Sequence, residues 1–319
     1  MQALVDRRLI VLTGKGGVGK TTMAAALGLM ASSSGRRTLV VEVGEQSRLS
    51  AIFGVREPEP GSETRLAPKL SAITVDPDRA LLEWLQALGG RVSGRVLASS
   101  GTFQYFAAAA PGAKELVSMV KIWQLTRSER RGRSPRHDLV ILDAPATGHA
   151  LGMLRSPDTF GAIARVGPIA KQTAEVRALL SDHERSGYLA VAHGSEMAVT
   201  ETLELQAGLQ EALHRDLDGV IVNGLMPRRF SAPEMGQIQA LSSTGKSRSG
   251  STEVVAAAVH AANEVHDRGR FQHAQVARLR RRGLTVLSVP FVWGGELDLH
   301  GLEGIATRLE HGMQRADLD

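Results

Sequence analysis

Short apolar runs, separated by longer stretches with helical spacing, set the pattern of this chain. Leu9-Ile10-Val11-Leu12 reads as a strand buried on both faces, and residues 22–29 as the opening of an alanine-rich helix. Further strands are predicted at 38–43, 71–75, 137–143, 188–192, 219–223 and 284–289, the last followed by Pro290. Between them lie predicted helices: a short one at 49–54, one from Asp76-Pro77 to about 88, and mostly helical sequence over 88–127, including 103–110 and 113–125. Residues 149–185 are rich in helix, and helices follow at 197–214, 253–282 and 299–314. Residues 55–70, rich in Pro, Glu and Arg, read as a loop, and 231–251, with a Ser- and Gly-rich end, as a mobile linker.

Strand and helix patterns alternate throughout, which predicts an α/β fold. The expected architecture is one domain over residues 1–319, a doubly wound, mostly parallel sheet with helices on both faces. A helix-rich subdomain is inserted from about 80–127 and 150–185, and the ligand sits at the carboxyl ends of the strands. Leu302, Ile305, Leu309 and Met313 form one stripe on the last helix, the mark of core packing rather than of a membrane-targeting tail.

Composition narrows the function classes. No apolar run approaches the ~18 residues of a membrane span, so no integral membrane segment is expected. The first strand begins at residue 9, leaving no room for a signal peptide, and the expected location is the cytoplasm. The chain has no cysteine, which excludes thiolate-held Fe–S clusters, a thiolate zinc clasp and thiolate binding of soft metalloids. The net charge of +5 raises nucleic acid as a partner. However, the arginine clusters at 127–136 and 268–282 carry no interleaved aromatic ladder for stacking bases. They read as solvated surface, and no nucleic acid is expected as a partner.

The candidate chemistry lies between the first strand and the first helix. Gly14-Lys15-Gly16-Gly17-Val18-Gly19-Lys20-Thr21-Thr22 fits a phosphate-binding loop, G-x-x-x-x-G-K-[ST]. In such a loop the backbone amides cradle phosphate oxygens, the last lysine (Lys20) reaches the β- and γ-phosphates, and Thr21 supplies a magnesium ligand. ATP and Mg²⁺ are therefore the expected cofactors. Lysine is scarce, yet two of the seven lie in this one loop. Lys15 has no evident task within one subunit; taken alone it reads as a solvated charge beside phosphates. Asp143, at the end of 139–143, is the candidate acid holding magnesium, with Thr21.

Two motifs resemble the deviant Walker A ATPases. GKGGVGKTT is similar to ParA and MinD, the nitrogenase iron protein and the arsenite-pump ATPase (ArsA) family. Asp143-Ala144-Pro145-Ala146-Thr147-Gly148-His149 resembles the γ-phosphate-sensing switch of the ArsA and tail-anchored-protein-targeting ATPases. The helical stretch Ala109-Ala110-Pro111-Gly112 with Lys114-Glu115-Leu116, and Glu196 with Glu201-Thr202, agree with that family. So do Val220-Ile221-Val222-Asn223 and Pro290-Phe291. The resemblance implies that Lys15 reaches across a dimer interface to the partner's nucleotide. It further implies that Asn223 reads adenine and that Pro290 and Phe291 close over the base.

The pattern breaks at one position. The family's second strand ends in an Asp-Pro pair whose aspartate positions the attacking water, and here that place holds Gly44. Glu45, the next residue, is the candidate substitute; Glu42 lies inside the strand. Two readings stand: a homodimer in which Glu45 serves, or a heterodimer with a related ATPase subunit that keeps the aspartate. The expected function is an ATP-hydrolysing dimeric switch that couples nucleotide state to a hydrophobic client or partner protein. The alternatives are a catalytically weak regulatory subunit and a ParA/MinD-type positioning ATPase.

Overall fold

The computed structural model describes residues 4–59, 61–88, 112–127, 136–163, 166–243, 251–294 and 297–316. The predicted helix at 103–110, the motif residues Ala109 to Pro111 and most of the first arginine cluster lie outside the described residues. Eight strands form one sheet in the order β3-β4-β2-β5-β1-β6-β7-β8. The strands are β1 (Leu9–Gly14), β2 (Thr38–Val43), β3 (Thr64–Ala67), β4 (Leu70–Val75), β5 (Leu139–Ala146), β6 (Ser186–His193), β7 (Gly219–Leu225) and β8 (Val286–Pro290). Every neighbouring pair is parallel except β3 with β4.

Parallel strands need crossovers, and the helices supply them on both faces. They are α1 (Lys20–Ser33), α2 (Arg48–Ile52), α3 (Pro77–Leu88), α4 (Ala113–Arg127), α5 (Thr147–Ile163) and α6 (Pro168–Ser181), then α7 (Glu196–Leu213), α8 (Ala232–Ser243), α9 (Ser251–Arg281) and α10 (Leu299–Ala316). Alternation along β1 divides its side chains between two cores. Leu9 and Val11 pack with buried residues of α4, α5, α6 and α7, while Ile10 and Leu12 pack with those of α1 and α10. The stripe Leu302, Ile305, Leu309 and Met313 lies in the second of these cores, as its spacing predicts.

Two expectations are corrected. Residues 55–70 are not all loop, because β3 adds an antiparallel edge beside β4. Residues 231–251 are not a linker throughout: α8 occupies Ala232–Ser243 and α9 begins at Ser251, leaving 244–250 outside the described residues. Ser231 starts α8 with a reciprocal cap, its N–H and hydroxyl both donating to Glu234 at 2.7 Å. Among the described residues no helix is long and apolar enough to cross a membrane.

Candidate functional site: the loop at the carboxyl edge of the sheet

β1 sits at the centre of the sheet, paired with β5 on one side and β6 on the other. The loop that leaves it therefore emerges between two parallel strand ends, where α1 starts. Contact requires one of its glycines and backbone conformation another. A Cβ on Gly14 would lie 2.0 Å from the Val191 carbonyl oxygen, and one on Gly19, at φ +91°, would lie 2.5 Å from Asn223 Nδ2. The Lys20 ammonium folds back over the loop and donates to the carbonyls of Gly14 and Lys15, each at 3.1 Å. Burial lowers its pKa, while Asp143 pulls it the other way.

Thr21 and Asp143 meet. The Thr21 hydroxyl donates to Asp143 Oδ2 at 2.6 Å, whereas Oδ1 is buried without a hydrogen-bond partner. Burial pushes the Asp143 pKa up to about 6; the Thr21 bond opposes that shift and the nearby Glu42 carboxylate adds to it. An unpartnered carboxylate oxygen beside a threonine hydroxyl fits Mg²⁺, a hard cation that takes oxygen ligands. Thr13 anchors the following segment by donating to the Pro145 carbonyl at 2.9 Å.

A cavity of about 1050 Å³ opens in front of these groups. Gly17, Gly19, Lys20, Thr21 and Thr22 line one wall, with Asp143 to Ala146 beside them, and Glu42 to Arg48 line the other. Gly44 lies on that wall, its N–H donating to the Val75 carbonyl. Glu45 is exposed on the cavity wall. Glu42 is committed elsewhere. Its buried carboxylate accepts from the Ser47 hydroxyl at 2.8 Å and from the backbone N–H groups of Arg48 and Leu49 at 2.9 and 3.3 Å, capping α2.

A second cavity, of about 470 Å³, shares Thr22 with the first. It contains Asn223, Pro290 and Phe291, so the three expected base-contacting residues come together. Asn223 donates to the Val18 carbonyl at 3.0 Å, and Phe291 N–H donates to the Leu225 carbonyl, fixing the strand ends that frame the opening. Phe291 meets Trp293 edge to face at 4.9 Å. Sequence reasoning did not mark His193, Ser195, Arg268, Phe271 and Gln272, which also line this cavity. Arg268 thus leaves the reading of the 268–282 cluster as plain surface, because part of α9 faces a cavity.

Lys15 is engaged on α7. It has a partner inside its own subunit: its ammonium bonds the Glu201 carboxylate and lies 2.8 Å from Met197 Sδ, both on α7.

Known proteins share much of this sequence. The family model described as anion-transporting ATPase matches residues 7–171. The ATPase BagA of Mycobacterium tuberculosis is 30% identical over 238 residues, covering 72% of this chain and 68% of that protein. The ATPase GET3 of Kluyveromyces lactis is 25% identical over 255 residues, covering 69% of this chain and 72% of that protein. The ATPase get3 of Schizosaccharomyces japonicus is 30% identical over 174 residues, about half of each chain.

Proposed function

The chain belongs to the anion-transporting ATPase family, and on that premise we propose that it binds ATP with Mg²⁺ and hydrolyses it as a two-subunit cytoplasmic switch. Its nucleotide state would govern the holding of a client or partner protein. The observation that carries this reading is the 2.6 Å bond from Thr21 to Asp143 with the second Asp143 oxygen left unpartnered beside Lys20 and the glycine loop. Thr21 and Asp143 are the residues to hold magnesium, and the loop amides with the N-terminus of α1 face the phosphates. Magnesium, when bound, withdraws charge from the β- and γ-phosphates. Lys20 neutralises the same oxygens, and Asn223, Pro290 and Phe291 position the base. Lys15 completes the site of the partner subunit once released from Glu201.

Glu45 on the cavity wall is the carboxylate to orient water in a homodimer. A second reading is favoured by Gly44: the chain works beside a related subunit that carries the aspartate, and contributes Lys15 to that subunit's site.

The test is ATP turnover by the purified chain across a concentration series, with Lys15→Ala as control. Turnover that rises with dimerisation and disappears in Lys15→Ala supports the self-sufficient switch. Tight ATP binding with no turnover at any concentration supports the heterodimer. A chain that does not bind ATP at all defeats both.

A further inference from the structure

The cavity wall opposite the phosphate loop carries a cation with no counterpart in the loop motif. Arg48 opens α2; its N–H is fixed on the Glu42 carboxylate at 2.9 Å, and its exposed side chain lines the same cavity as Lys20, Thr21 and Asp143. No described side chain pairs with its guanidinium by hydrogen bond or salt bridge. Two other charged groups of the cavity are already engaged, Lys20 on two loop carbonyls and Glu42 on α2, whereas Asp143 keeps one free oxygen and Glu45 is exposed. The charge of Arg48 nevertheless reaches the business end of the cavity, since it bears on Lys20, Glu42 and Asp143 alike. A guanidinium without a carboxylate partner, facing a phosphate cradle, fits the oxygens of a phosphoryl group through paired N–H donors.

We propose that Arg48 is a catalytic residue of this chain that contacts the terminal phosphate of ATP within its own subunit. This deepens the ATPase reading and rests on it. Such a contact would let turnover survive the absence of a carboxylate at Gly44. In hydrolysis the oxygen of water bonds to the γ-phosphorus as the bond to the β–γ bridging oxygen breaks, giving ADP, inorganic phosphate and one proton released to solvent. Negative charge grows on the bridging oxygen while the γ-oxygens pass through a loose transition state. A guanidinium held in cis on the γ-oxygens offsets their charge and fixes the phosphoryl group for in-line attack without orienting water, so a site with no water-positioning aspartate would keep a route to turnover. The anchoring of Arg48 through Glu42 and Ser47 gives the guanidinium a fixed base from which to reach.

Equilibrium binding separates the terminal phosphate from the rest of the nucleotide. Fluorescent ATP and ADP analogues with Mg²⁺ are titrated into wild type, Arg48→Ala, Arg48→Lys and Lys20→Ala, with thermal melts to verify folding. Arg48→Ala is expected to weaken the ATP analogue about tenfold, the size of one charge-assisted contact, and the ADP analogue less than about twofold. Arg48→Lys should recover part of the ATP affinity, and kcat in Arg48→Ala should fall together with the loss of ATP preference. Equal weakening of both analogues, or no change in either, with Lys20→Ala still abolishing binding, overturns the role of Arg48 and leaves the ATPase reading intact. Wild type that binds neither analogue overturns both.

Discussion

The ammonium of Lys15 is held by the carboxylate of Glu201, 186 residues away in sequence and in the same subunit. The two side chains are 35% and 30% exposed, so the pair lies at the surface, and Met197 beside them is itself largely exposed. A lysine that must act on a second subunit has first to leave this carboxylate. Surface pairs of this kind contribute about 0–1 kcal/mol, enough to bias the lysine without locking it.

Glu201→Gln should accordingly make assembly easier. The concentration at which turnover reaches half its maximum is expected to fall by up to about fivefold, the equivalent of ~1 kcal/mol, with ATP affinity of the dilute chain unchanged. A turnover series followed against light scattering checks this. An unchanged midpoint would show that Glu201 does not restrain Lys15.

Gly44→Asp restores the carboxylate that this chain lacks. A Cβ there meets nothing within 4 Å, so there is room, but the backbone sits at φ +157°, where side chains are strained. The expected result is a rise in kcat of about tenfold or more, since positioning of water carries several kcal/mol of a barrier, together with a lower Tm. Glu45→Gln should depress kcat in the wild-type background and have little effect in Gly44→Asp. Equal loss in both backgrounds would remove Glu45 from the role of substitute.

Asp143→Asn trades function for stability. Burial and Glu42 disfavour the charged Asp143 carboxylate, so its ionised form costs the apo fold at pH 7. The amide is expected to hold or raise the Tm without nucleotide while removing the gain in ATP affinity on adding Mg²⁺. Calorimetry with and without Mg²⁺ reads both effects; retained Mg²⁺ dependence would move the metal site elsewhere.

Acid stability should depend on Asp138. Arg37 bonds it through its backbone N–H at 2.9 Å and its guanidinium at 3.0 and 2.5 Å, and holds the Asp138 pKa down to about 2. A depressed folded-state pKa gives stability that is present above the unfolded value of about 3.9 and is lost as pH falls toward 2. The Tm of Asp138→Asn is expected to be lower than wild type at pH 6, with the gap closing between about pH 4 and 2. A gap that stays constant with pH would assign the loss to hydrogen bonding alone.

Much of this architecture was legible because the parallel strands are buried on both faces. Residues 9–12 announce β1 as an unbroken apolar run, and the glycine spacing of 14–22 announces the loop. β3 escaped notice because Thr64–Ala67 is a half-exposed edge strand whose four residues carry no apolar alternation. α8 was hidden by the Ser- and Gly-rich sequence that follows it, although Ser231 and Glu234 form a readable cap. Arg48 and Arg268 could not be singled out, and Glu201, although part of a family-like stretch, could not be tied to Lys15. With 38 basic residues in the chain, an arginine that faces a cavity has no local mark, and the pairing of Glu201 with Lys15 exists only once β6 lies beside β1.

The central place of β1 also sets the order in which the protein can be made. Its residues pair with 140–146 on one side and with 186–191 on the other. A chain leaving the ribosome has carried the whole phosphate-binding sequence for well over a hundred residues before either neighbour exists. Contacts of such sequence separation form late and slowly, and domains of this size pass through partly assembled species. Nucleotide cannot act as an early folding template here, because the loop is not framed until both neighbouring strands have been made. A fragment truncated after residue 181 has the complete loop sequence, lacks β6, and is expected to retain no nucleotide on a filter.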